Sequence, residues 1–264
     1  MPLVKAGSMR KAEGVSAPRA PGNGGPGLIW FREAREPSQR PTLSRGEITR
    51  AAVELADAGG IQAVSMRRIA ARLGAGATSL YWYVASKEDL FELMADEVIG
   101  EIPLPGRQSP NWRQNLRTIA RTTRATLKNH PWVVQLGIQP GLGPKTQRYA
   151  RAALGAFTGL RLDLAMQIEI LAALNNYLFG FVHREVARAE LTRRLGIDEA
   201  SWRARFDAYV EEAEHHDGIL AQQMRIRADL HDDRNFEFGL DCMLRGIEAH
   251  VTSGQGDEPY ASGV

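Results

Sequence analysis

The residues with most to offer chemically lie in one stretch, Ser65 to Lys87, reading SMRRIAARLGAGATSLYWYVASK. Ile69, Ala70 and Leu73, then Leu80 and Val84, recur at the spacing of buried helix faces. Arg67, Arg68, Arg72, Thr78, Ser79 and the run Tyr81-Trp82-Tyr83 are left on the outside. Gly74-Ala75-Gly76 joins the two short helices by a turn tight enough to force a large crossing angle, the pattern of a helix-turn-helix. Aromatic side chains exposed in succession on a short helix are costly against water. They make sense against the sugars and phosphates of a duplex, beside guanidinium and hydroxyl groups that hydrogen-bond to nucleic acid. That chemistry is binding, not catalysis.

The elements that must position these groups read as helical from Ser44 onward, so the expected fold class is all-α. Ser44-x-x-Glu47 is a capping box at a helix start. Ile48, Ala51, Ala52, Leu55 and Ala56 then share one face, and Gly59-Gly60 ends the helix. Ser65 caps a second helix over about Met66 to Arg72, stopped at Gly74. A third covers about Thr78 to Val84. Ser86 caps a fourth, whose apolar face is Leu90, Phe91, Met94, Val98 and Ile99, and Pro103 and Pro105 stop it. A larger helical region runs from about Asn111 to Thr252. Its strongest elements are Leu162–Ala189 and Phe236–Val251. The expected organisation is a disordered basic arm over 1–41, a three-helix DNA-binding domain over 42–100, a ligand-binding and dimerisation domain over 101–253, and a flexible tail over 254–264.

On these residues, the string GIQAVSMRRIAARLGAGATSLYWYVASKEDL (60–90) resembles the N-terminal domain of the TetR family of transcriptional regulators. The shared signs are the cap before Arg67, Leu73-Gly74, Leu80-Tyr81-x-x-Val84, Lys87, and Asp89-Leu90. The resemblance implies a role for each outer residue. Ser65 and its backbone N–H groups offer a phosphate site at a helix N-terminus. Arg67 points to the major groove, where a guanidinium takes guanine O6 and N7 together. Thr78 and Ser79 meet base edges or a thymine methyl. Tyr81, Trp82 and Tyr83 give donors to phosphates and flat contact with sugars. Lys87 is a phosphate contact. Gly76, Ala77, Thr78 and Tyr83 depart from the tetracycline-repressor type, so no operator sequence carries over.

The C-terminal helices also resemble the family's tetracycline-repressor-type domain, which implies a ligand cavity and a two-fold dimer. Leu162–Ala189 and Asn235–Thr252 are the two expected interface helices. Gly239 and Gly246, on one face, are expected to admit a partner helix. A dimer of this kind reads an approximately palindromic operator. The stretch NHPWVVQLGIQPG (129–141) matches the region that lines the family's cavity. Trp132, Gln135, Tyr149, Phe157, Met166, Asn175, Asn176, Phe179 and His183 are the candidate effector residues, aromatic walls with a few amides. Asn175 and Asn176 stand out, because amides within an apolar helix need partners. Gln135 replaces the family's magnesium-holding histidine, so a magnesium–tetracycline complex is not the expected ligand; no cofactor and no metal site are expected.

The N-terminal segment APRAPGNGGPG (17–27) has too little apolar surface to order itself. Its Gly22-x-Gly24-x-x-Gly27 lacks the strand and helix that a dinucleotide loop requires. Leu28-Ile29-Trp30-Phe31 is an apolar island able to pack locally. REAREPSQRPTLSR (32–45) spaces Arg32, Arg35, Arg40 and Arg45 along an extended arm, suited to a minor groove or to a solvated linker.

Net charge is only +2, yet residues 1–87 carry +7 and residues 201–264 carry −7. A basic N-terminal third points to a polyanion partner for that third. Arg113, Arg117, Arg121, Arg124 and Lys128 form a helical stripe, read as a solvated face. His215-His216-Asp217 reads as a loop tip. One cysteine, Cys242, excludes a disulfide framework and reads as a small buried hydrophobe. No signal peptide is visible, and Gln167, Glu169, Asn175 and Asn176 argue against a membrane span in the most apolar stretch. A cytoplasmic protein is expected. No Gly-x-Ser-x-Gly, His-Glu-x-x-His or phosphate-loop motif supports an enzyme. The reading is a repressor released from double-stranded operator DNA by a small apolar or aromatic molecule, acting as a homodimer on an efflux or biosynthetic gene. The alternative is a ligand-independent architectural DNA-binding protein of the same fold.

Overall fold

A computed structural model describes residues 29–31, 43–104, 109–136, 141–215, 217–228 and 232–252. Arg40, most of the arm and the tail lie outside the described residues. Among the described residues every regular element is helical.

The reading end is built from α1 (Arg45–Gly59), α2 (Met66–Leu73), α3 (Ala77–Leu80) and α4 (Lys87–Glu101). The capping box forms as expected: Ser44 Oγ accepts from the Glu47 amide, and Glu47 accepts from the Ser44 amide. Ser65 and Ser86 cap α2 and α4 through the amides of Arg68 and Asp89. Each such cap contributes on the order of 1 kcal/mol. Gly74 ends α2 in the left-handed region at φ 64°, a conformation that costs a side-chain-bearing residue. The third helix is shorter than its pattern suggests. It covers Ala77–Leu80, and Tyr81 to Tyr83 form a turn that brings Val84 back into the core.

The body comprises α5 (Trp112–Asn129), α6 (Trp132–Gln135), α7 (Pro144–Gly155), α8 (Leu164–Leu195), α9 (Glu199–Glu214), α10 (Gly218–Ala228) and α11 (Asp232–Thr252). Two cores hold the molecule. The first joins Ile48, Ala52, Ile69, Leu80, Leu90 and Met94 of the reading end to Leu127, Trp132, Val133 and Val182 of the body. The second joins Leu116, Ile119, Phe157, Leu174, Leu178, Phe236, Leu240 and Leu244. α8 reaches both. By length and composition it is the one described helix able to cross a bilayer, yet Ile170, Leu174, Leu178 and Val182 pack in these cores.

One expectation is borne out and several are corrected. The apolar island does pack: Ile29 is 2% exposed in a 3-10 turn, and Trp30 lies against the first core. The basic stripe on α5 is an ion-paired face rather than a plain solvated one, although Arg121 and Lys128 stay about half exposed. Arg113 pairs with Glu248, Arg117 with Asp241 at 3.1 Å, and Arg121 with Glu237 through two bonds of 2.7 and 2.9 Å. Arg124 pairs with Glu185 at 2.6 Å and Asp233 at 2.8 Å, and Lys128 with Glu185 at 3.3 Å. The acidic excess of the C-terminal third is thus partly spent on α5. Cys242 is exposed rather than buried, because Leu240 and Leu244 take the core-facing positions of α11. Gly239 serves a contact within the chain: a Cβ there would lie 2.6 Å from the hydroxyl of Tyr177 on α8, whereas Gly246 faces open space. Asp217 accepts the amides of Ile219 and Leu220, so the histidine-bearing tip is also the cap of α10.

Candidate nucleic-acid interface and effector region

The outer face of the reading end gathers the predicted residues. Ser65, Arg67, Thr78, Ser79 and Lys87 are exposed, Tyr81 is 52% and Trp82 63% exposed, and Tyr83 is half-buried against the first core. Leu80 and Val84, between and beyond them, are fully buried. One short element therefore presents hydroxyls and aromatic rings outward while its aliphatic residues anchor it. Arg72 pairs with Glu54, tying α2 to α1. Arg45, read as an arm residue, is the first residue of α1, and its Nε donates to the Tyr83 carbonyl at 3.1 Å.

The effector candidates do not gather into one chamber. Trp132 is buried in the first core, with Phe179 packed against it. Phe157 is buried in the second core, flanked by Tyr149 and Met166. The Tyr149 hydroxyl bonds Thr123 at 2.9 Å, and burial pushes its phenol up despite that bond. Gln135 and His183, both exposed, share a groove of about 430 Å³ with Val186 and Leu191. Trp132 and Gln135 also border a cleft of about 770 Å³ between the end of α1 and the C-terminal half of α8. Asn175 is half-buried and Asn176 exposed, so neither amide is enclosed within the cores.

Between the reading end and the body runs a polar seam that sequence reasoning missed. His130 is 8% exposed and places Nδ1 2.8 Å from Asp57 of α1 and Nε2 2.9 Å from Glu101 of α4. The Trp132 indole donates to the same Asp57 oxygen at 2.7 Å. Asp96 of α4 is 6% exposed and accepts from the amides of Lys145 and Thr146 and from the Thr146 hydroxyl. A carboxylate amid Leu93, Met94, Val98 and Ile99 was a visible signal, since buried charge demands partners. Nothing local marked His130.

Electrostatics in the body follow the ion-pair ladder. Burial works against ionisation of Glu185, but Arg124 and Lys128 outweigh it and hold its carboxyl below the usual range. Glu237 is likewise held down by its bonds to Arg121. Arg124 is raised although burial opposes its charge, because Glu185 and Asp233 favour it. Its guanidinium also lies 4.5 Å from the centre of the Phe236 ring.

Comparison with known proteins agrees with this architecture. Residues 48–94 match the family model for bacterial regulatory proteins of the tetR family, and residues 103–251 match the tetracyclin repressor-like C-terminal domain. An HTH-type transcriptional regulator of Saccharopolyspora erythraea is 37% identical over 163 residues, 61% of this chain and 69% of the relative. The HTH-type transcriptional repressor DrrR1 of Streptomyces coeruleorubidus is 32% identical over 242 residues, covering 87% of each chain. Among solved structures, the TetR family protein ActR of Streptomyces coelicolor in complex with actinorhodin superposes with a TM-score of 0.68 at 22% identity, over 80% of this chain and 97% of its own. Two family models in tandem, on the helices that carry the outward face and the two-core body, place this chain: it belongs to the TetR family of transcriptional regulators.

Proposed function

We propose that the protein is a ligand-responsive repressor of the cytoplasm, bound as a homodimer to an approximately palindromic operator and released by a small apolar or aromatic molecule. The observation that carries the DNA reading is the exposed set of Thr78 and Ser79 on α3, Tyr81 and Trp82 in the turn after it and Arg67 on α2, with Leu80 between them fully buried. Arg67, Thr78 and Ser79 read bases, while Ser65, Tyr81, Trp82, Tyr83 and Lys87 hold phosphates and sugars. Residues 42–100 form the reading domain and 101–253 the effector and dimer domain. The basic segment over 1–41, with Arg40, brings further positive charge to the reading domain for a polyanion.

The dimer reading rests on the apolar side chains that α8 and α11 leave uncovered, among them Ile168 and, at 69% exposure, Phe238. A two-fold pairing through these helices sets the two reading ends roughly 34 Å apart, one duplex turn. The effector reading rests on the family's C-terminal domain and on the structural likeness to a protein solved with actinorhodin. The gene under control is an efflux or biosynthetic one.

The test is selection of duplexes from a random pool by the full-length protein, followed by titration with actinorhodin and related aromatic compounds. The reading expects enrichment of an inverted repeat and release of it by at least one compound. No enriched sequence at modest salt overturns the DNA reading. Enrichment with no releasing compound favours the ligand-independent architectural protein.

A further inference from the structure

The N-terminus of α7 is capped by a residue of another helix. Its own N-cap position is Gly143, which has no side chain to offer. The carboxylate of Asp96, from α4, takes that place: Oδ1 accepts from the Thr146 amide and hydroxyl, each at 2.8 Å, and Oδ2 from the Lys145 amide at 3.3 Å. Any side chain at position 143 would overlap the Asp96 carboxylate, so Asp96 can hold this place only with glycine there. Two flanking contacts extend the join along the same turn. Lys145 pairs with Glu97 at 2.5 Å, and Arg148 donates to the Gly100 carbonyl at 3.2 Å.

α4 is also the helix whose first residue is Lys87, so one rigid rod links the outward face to the body. Asp96 lies nine residues further along, about 13.5 Å at 1.5 Å per residue. Charge-assisted bonds to helix N-terminal amides are among the stronger neutral-pH contacts a carboxylate makes. A buried carboxylate that loses them has no water to turn to.

We infer that Asp96 is a positioning residue for DNA recognition: its cap on α7 sets the angle at which α4 carries the reading end relative to the body. This rests on the DNA-binding reading above, and the experiment separates the two. The full-length protein, with Cys242→Ser, carries spin labels at the exposed positions Glu88→Cys on α4 and Thr118→Cys on α5. It is diluted in unlabelled chain so that only distances within one chain are read. Amide exchange at Lys145 and Thr146 reports the cap, and affinity for the selected duplex reports function.

In Asp96→Ala the two amides exchange faster, the distance distribution at least doubles in width, and affinity falls about tenfold. Asp96→Asn, which keeps the shape, and Thr146→Val, which removes one bond, give smaller shifts in the same order. They also serve if Asp96→Ala does not fold. Tyr177→Phe, which weakens the body elsewhere, leaves the distribution narrow. Faster exchange at Lys145 and Thr146 with an unchanged distribution overturns the inference, as does exchange that does not change. A wider distribution in a protein that selects no duplex supports the role of Asp96 in setting the angle and overturns the DNA reading instead.

Discussion

Arg45 at the start of α1 reaches across the reading end and donates its Nε to the main-chain carbonyl of Tyr83, 38 residues later. The bond pins the turn that follows α3. It satisfies a carbonyl in the non-helical turn of Tyr81 to Tyr83, and it aims Tyr81 and Trp82 outward. Loss of one such bond is worth about 1 kcal/mol, roughly fivefold in an equilibrium. Arg45→Ala is expected to lower duplex affinity about fivefold on every sequence. Arg45→Lys does not restore it, because lysine has no donor at the Nε position. Gel-shift titration of both variants against two unrelated duplexes checks this. A loss confined to one sequence would mean that Arg45 reads a base.

Arg67 and Lys87 are expected to separate specificity from affinity. Arg67→Ala is expected to cost about 1–3 kcal/mol on the selected operator and to relax one base position. Lys87→Ala is expected to weaken all duplexes alike and to reduce the salt slope by about one. Affinities at three salt concentrations, on operator and scrambled duplex, distinguish the two.

Gly74 adopts φ 64° with open space where a Cβ would sit, so its substitution meets no clash. The cost is then conformational only. Gly74→Ala is expected to destabilise the reading end by about 1–2 kcal/mol, read as an earlier thermal transition. An unchanged melting temperature would show that the turn relaxes to another geometry.

Acid sensitivity follows from Glu185 and Glu237, whose carboxyls are held below their ordinary value of 4.5 by arginine partners. A depressed carboxylate contributes stability that is fully present above its unfolded value and lost as pH falls through its folded one. Urea midpoints are therefore expected to hold level from neutral pH down to the unfolded carboxylate range and to fall below it. Glu185→Gln is expected to flatten that fall while lowering the midpoint at pH 7. An acid limb equally steep in Glu185→Gln would place the sensitivity elsewhere.

Much of this was legible in the residues. The serine caps at 44, 65 and 86 announce three helix starts, because an orphan amide needs an acceptor and serine supplies one locally. The inward Ile69 and Leu80 and the outward Arg67 and Thr78 follow from helical period, whereas Trp82 and Val84 take their expected sides through the turn after α3. The stripe on α5 was legible as a stripe but not as a ladder. Its partners Glu185, Asp241 and Glu248 stand 57 to 135 positions away, and no local period registers them. Trp132 and Phe157 were legible as large apolar groups, but not that they belong to different cores.

By itself the sequence determined what repeats within a few turns of chain: the helices, their caps, the Gly74 turn and the outward chemistry of the reading end. Those follow from bonds and side-chain spacings spanning three or four residues. Only the tertiary structure decided which distant groups meet. It set Asp96 on the first turn of α7, His130 between Asp57 and Glu101, and Arg124 between Glu185 and Asp233. Such pairings depend on where whole helices come to rest as their apolar faces are buried, and that balance is struck over the entire fold rather than over any segment of it.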